Sequence, residues 1–303
     1  MVKPIYITAM KRFLFTTVLV LAAVAAVQAE TFRDALSEYL KKKNIAQEQE
    51  IYVEMITPLA KQLFPDDEKA TSALAEYFSS QLVDDIIDLN EPVYRKHMSI
   101  ADLQELGKLY SDPRLADIEK RSAEIASAMQ KSEEFAAYMQ HLQTAFMEIL
   151  SGNPMPEDMP LPAEISPAYY EAFMQYYKNS RMDEMMNTSM RTVFEAAKSM
   201  LQKNNLPDID KKVQDLTDYS VRNIPNVVAM VMHKTITMDD LRLLSEVAAK
   251  PCAQRAAAAA VELSENPLQL GLQVIGKMAD WMDVHYPQYA SPFREMVKMM
   301  ENL

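Results

Sequence analysis

Apolar positions recur every three or four residues along most of the chain, the period of an α-helix that buries one face. Ile51, Tyr52, Met55, Ile56, Leu59, Leu63 and Phe64 make one such stripe, and Pro65-Asp66-Asp67 ends it. Leu74, Phe78, Leu82, Ile86 and Leu89 make the next, and Leu216, Val221, Ile224, Val227 and Val231 repeat it later. Pro92 and Pro225 fall inside these stripes and predict a kink or a restart, because proline lacks the backbone donor and crowds the preceding turn. Ser99 and Thr237 stand before short apolar runs as N-caps. Asp102 and Asp240, three residues on, can return a bond to the cap and meet the positive helix end. Pro113 and Pro251 suit the first position of the helix that follows. The pattern predicts an all-α protein.

An offset of 138 residues superposes the chain on itself without a gap over much of its length. Ile86, Val93, Lys96, Asp102, Leu103, Leu106, Pro113 and Glu124 recur as Ile224, Val231, Lys234, Asp240, Leu241, Leu244, Pro251 and Glu262. The apolar pattern agrees earlier in each unit as well, with Tyr39 over Tyr177, Ile56 over Phe194 and Leu63 over Leu201. Amphipathic helices share spacing by chance, but a cap, leucines and a proline in one register point to duplication. Between the units lies SGNPMPEDMPLPAEISP, whose five prolines exclude helix and interior strand and predict a stiff, extended linker. The expected organisation is therefore two tandem similar helical domains, units 30–151 and 168–303, joined by a Pro/Met-rich linker at 152–167. A last helix over Phe293–Leu303 is expected to dock on the second unit.

Composition sharpens this. The chain has 303 residues, 49% apolar and 24% charged, enough for a sizeable core. Only four glycines occur, Gly107, Gly152, Gly271 and Gly276, which argues against hairpin-rich folds and phosphate-cradling loops. Residues 10–29 read MKRFLFTTVLVLAAVAAVQA: a basic start, an apolar run, and small residues at −3 and −1 before a cut after Ala29. The expectation is a secretory signal over 1–29 with Met10 as initiator, and a periplasmic or secreted protein. The apolar run, about 15 residues, is shorter than the roughly 20 that span a bilayer, so no stable membrane span is expected after cleavage. The formal charge of −12 becomes −15 without residues 1–29, which hold three basic residues and no acidic one. So negative a chain lacks the Lys/Arg footprint of a nucleic-acid binder. A single cysteine, Cys252, cannot form an intramolecular disulfide. It follows Pro251 at a helix start, where the dipole favours a thiolate, although a small packed residue is the plainer role.

Catalytic and metal chemistry leave few marks. His97, His141, His233 and His285 have no partner at helical zinc-site spacing, and neither GxSxG, a Walker loop nor CxxC occurs. Methionine is the one anomaly, at 23 residues. Met182, Met185, Met186 and Met190 fall on one helical face, where soft thioethers suit Cu(I) and equally suit an adaptable core or partner groove. Tyr169, Tyr170, Tyr176 and Tyr177 lie beside them and can line such a groove.

Tyr94, Ser99, Asp102, Leu103, Leu106, Leu109, Tyr110 and Pro113 resemble the core pattern of the exported bacterial helical family catalogued as domain of unknown function 2059. The first unit departs from that pattern at Asp112, where the family has serine, and at Leu115, where it has glycine. The second unit keeps Thr237, Asp240, Leu241, Leu244 and Pro251, and departs at Met232, Ala248 and Ala253. The resemblance implies an all-helical exported domain and brings no activity, ligand, cofactor or catalytic residue. The function expected from the sequence is non-enzymatic binding of a protein or apolar ligand in the cell envelope. A Met-rich copper-binding protein and a hydrolase assembled across helices are the alternatives.

Overall fold

The computed structural model describes residues 31–43, 46–65, 67–129, 132–202 and 208–301. The expected signal segment, 1–29, lies outside them. Among the described residues the chain forms fourteen helices and no strand. The first half contributes α1 (Phe32–Lys42), α2 (Ala46–Leu63), α3 (Glu68–Ser80), α4 (Leu82–His97), α5 (Ile100–Leu109), α6 (Pro113–Met129) and α7 (Glu133–Ser151). The second contributes α8 (Pro167–Asn179), α9 (Met182–Gln202), α10 (Ile209–His233), α11 (Met238–Ala248), α12 (Pro251–Leu263), α13 (Pro267–His285) and α14 (Pro287–Glu301).

Local chemistry sets many of these ends. At α5 the Ser99 hydroxyl accepts from the Asp102 N–H at 3.2 Å, and the Asp102 carboxylate accepts from the Ser99 N–H at 2.9 Å. At α11 Thr237 and Asp240 make the same reciprocal pair, both bonds at 3.2 Å. Each box satisfies donors that a helix start otherwise leaves open. Asp67 caps α3 through the Lys69 and Ala70 N–H groups at 2.9 and 3.1 Å. Gly152 ends α7 at φ +79°, a conformation that costs residues with a Cβ more than glycine.

Two expectations about these helices are corrected. α4 runs through Pro92 and α10 through Pro225 without a restart. Burial of neighbouring faces, Ile86, Ile87 and Tyr94 on α4 and Val227, Val231 and Ile224 on α10, offsets the lost backbone bond. The stripe from Leu74 to Leu89 is instead broken at Gln81, whereas its counterpart is the single helix α10. The Phe78 carbonyl, the acceptor that residue 82 would need to carry the helix on, instead accepts from the Gln49 side-chain amide of α2 at 2.6 Å.

Buried side chains group in a way that the linker does not foretell. One cluster joins α1–α5 (Leu36, Tyr39, Ile56, Tyr77, Ile87, Leu103, Leu106) to α12, α13 and α14 (Cys252, Ala259, Ile275, Met278, Phe293). A second joins α6 and α7 (Leu115, Ile118, Tyr138) to α8, α10 and α11 (Phe173, Tyr177, Val227, Leu241, Leu244). A small third one, Ile149, Phe194, Val213 and Leu216, ties α7 to α9 and α10. The last helix starts earlier than expected; it lies along α13 of the second unit, as expected, and also reaches first-half residues, with Phe64 5.2 Å from the Tyr289 ring and 5.7 Å from Phe293. The Pro/Met-rich linker is non-helical over 153–162 but is itself packed. Met159 and Ile165 are buried in the second cluster, and the Asn226 amide of α10 donates to the Met159 carbonyl at 2.8 Å. Proline forbids helix here, not burial.

Candidate functional site

Helical caps bring the paired aspartates to arginines. Asp102 of α5 receives the Arg255 guanidinium of α12 in a two-pronged contact, one bond at 3.1 Å. Asp240 of α11 receives Arg121 of α6 at 3.2 Å and Arg114 at 3.4 Å. The Arg255 bonds, helped by those from Ser99, hold the Asp102 carboxyl below its ordinary range. For Asp240, burial pulls upward, but the Thr237 and Arg121 bonds outweigh it and the net shift is downward. Leu103, Leu106, Leu241 and Leu244 are buried behind these caps, and Pro113 and Pro251 open α6 and α12. These motif residues thus form structural joints.

The methionine stripe packs. Met182, Met186 and Met190 lie half-buried against the second cluster, and Met190 also touches the third. Among the described residues no group of three or more His, Cys, Asp and Glu side chains is placed to hold a metal ion. The histidines go elsewhere: His97 bonds Glu262 at 2.7 Å, His233 stands edge-on to Tyr169 at 4.8 Å, and His285 stacks on Trp281 at 4.5 Å. Cys252 is fully buried, and that burial pushes its thiol up, the reverse of a reactive thiolate.

A different set of polar side chains converges. Tyr39 of α1 packs against Tyr94 of α4 edge-on at 6.3 Å and against Tyr110, at the end of α5, at 5.9 Å. Lys43, the residue that caps α1, interacts with Tyr39, Tyr94 and Tyr110 and with Glu119 of α6, and Tyr176 of α8 closes the set. Lys43 itself is exposed to solvent, at the edge of this tyrosine cluster. Burial pushes the Tyr39 and Tyr110 phenols up to about 12 and raises Tyr176 and Glu119 too. Attraction to Tyr39 holds the Lys43 ammonium well above its ordinary value against the opposing effect of burial. At ordinary pH the cluster therefore presents one ammonium, uncharged phenols and a carboxyl that gives up its proton reluctantly. It can donate hydrogen bonds to an acceptor and lay aromatic faces against an apolar body.

Sequence reasoning reached Tyr94 and Tyr110 as motif positions and Tyr176 as a possible groove residue; it missed Tyr39's role, Lys43 and Glu119. These come from helices far apart in the chain, and no short spacing marks them. A polar hollow of about 280 Å³ lies between α1 and α5, lined by Glu38, Tyr39, Lys42, Gln104 and Lys108. An apolar groove of about 160 Å³ runs between α2 and α3, lined by Val53, Ala60, Phe64, Leu74 and Phe78. Comparison with family models, with curated proteins and with solved structures returns no match.

Proposed function

We propose that this chain is a non-enzymatic binding protein of the bacterial cell envelope, and that it takes its ligand or partner group at the tyrosine cluster beside Lys43. The observation that carries this reading is an exposed ammonium that interacts with Tyr39, Tyr94, Tyr110 and Glu119, next to Tyr176. Gathering polar groups against their solvation preferences costs stability, and such clusters concentrate where a protein meets a ligand. The occupant that fits has an apolar or aromatic body and an acceptor for the ammonium. Export rests on the basic start, apolar run and small-residue cut site of residues 10–29. The family resemblance through Tyr94, Ser99, Asp102, Leu106 and Pro113 belongs to the same proposal. So does internal duplication, which is supported by helix starts 138 residues apart at Ile100 and Met238 and at Pro113 and Pro251.

Native mass spectrometry of residues 30–303, purified from the exported compartment without chelators, tests the reading. The expected result is an added organic mass that Lys43→Ala and Tyr110→Ala each lose while far-ultraviolet dichroism stays helical. A bare chain, a mass indifferent to both substitutions, or a copper mass lost with Met182→Leu and Met186→Leu would overturn it.

A further inference from the structure

We propose that the molecule is built of two lobes that part at Pro113 and Pro251, so that the packing unit is 113–250 on one side and 31–112 with 251–301 on the other. This division does not depend on the Lys43 cluster holding a ligand. The buried clusters draw it. Every residue of the first lies before Pro113 or after Pro251, and every residue of the other two lies between them. Leu109, at the first crossing, is the one side chain packed against both large clusters among the described residues. The main helix pairings obey the same line: α12 lies on α4 and α5, and α13 on α3 and α4, while α7 lies on α10 and α11 on α8. Across it, α12 meets α9 and α11.

Polar bonds follow. Arg255, one turn past Pro251, bonds Asp102 of the first lobe, and Lys96 and His97 bond Glu262 of α12, each at 2.7 Å. Arg114 and Arg121, just past Pro113, bond Asp240 of the second lobe, and Arg121 also bonds the Thr235 carbonyl at 2.6 Å. Each crossing proline therefore opens a helix whose arginine is fastened to the capping box of the lobe that helix joins. The chain leaves the first lobe after α5 and returns to it after α11, at equivalent points of the repeat. Tyr39, Lys43, Tyr94 and Tyr110 belong to one lobe and Glu119 and Tyr176 to the other, which puts this cluster on the seam, where a change in lobe docking changes the spacing of its members. The hollow of about 510 Å³ between Thr192 of α9 and Gln269, Gln273 and Gly276 of α13 lies on the same seam.

Hydrogen exchange on the full chain tests the division. Phe173→Ala, which empties the second cluster, is expected to speed exchange about tenfold or more in α6 and α7 as well as α8, α10 and α11, and to leave α12 and α13 near wild type. Ile275→Ala is expected to do the converse, loosening α1, α4 and α5 and sparing α8 and α11. Should either truncation prevent folding, Phe173→Leu and Ile275→Val give the same comparison at smaller amplitude. Faster exchange in α12 and α13 with α6 and α7 unchanged after the Phe173 substitution would overturn the proposal, and so would an even rise along the chain.

Discussion

Single polar atoms show how unevenly this interior treats its tyrosines. The Tyr77 hydroxyl donates to the buried Asp85 carboxylate at 2.8 Å, whereas the equally buried Tyr177 hydroxyl has no partner among the described residues. A hydrogen bond to a charged group is worth about 1.5–3 kcal/mol, and an unmet buried one costs about 1–3 kcal/mol. Tyr77→Phe is thus expected to destabilise the protein by about 2 kcal/mol, while Tyr177→Phe is neutral or stabilising; urea unfolding of both compares them directly. A loss at position 177 matching that at 77 would contradict the bonding described. Acid titrates the joints. The Asp102 carboxyl lies below its unfolded value of about 3.9, so the stability it contributes is complete above that value and disappears as pH falls through the lower, folded value. The stability advantage of the wild type over Asp102→Asn is therefore expected to be flat from pH 8 to 5 and to shrink below about pH 4. An advantage that grows on acidification would contradict the Arg255 bond.

Among elements, the caps and their leucines were legible from the sequence, because a capping box and a 3.6-residue stripe are local. Leu106→Ala and Leu244→Ala are each expected to cost about 2–5 kcal/mol, the usual range for emptying a buried leucine site; losses below about 0.5 kcal/mol at both would refute the helix register. Gly152 sits with its φ at +79°, and Gly152→Ala is expected to cost about 1 kcal/mol by thermal unfolding although open space surrounds it. What misled at this scale was competition. Of the kink or restart that Pro92 and Pro225 predict, the restart is overridden by buried neighbours, and the break at Gln81 falls where the Gln49 amide takes the Phe78 carbonyl, a long-range bond that no hydrophobic stripe records. Likewise the linker's prolines announce an extended segment correctly and say nothing of Asn226 holding it in a core.

At the scale of the whole molecule, the sequence displays chain order, and packing follows another order. Tyr94 and Tyr110 were visible as motif residues, but the cluster they form with Lys43 and Glu119 exists only once α1, α4, α5, α6 and α8 have assembled. Nor does a proline-rich stretch need to divide a protein: here it lies within the second cluster, and each half of the chain supplies helices to both large clusters. The most direct measurement follows from that interleaving. A protease site placed in 153–158 lets the purified full chain be cut once, and light scattering on a sizing column then reports whether the pieces stay together. The account predicts one particle of the uncut mass, whose pieces part only at the urea concentration that unfolds the helices. Two separate, folded species released by the cut alone would contradict it.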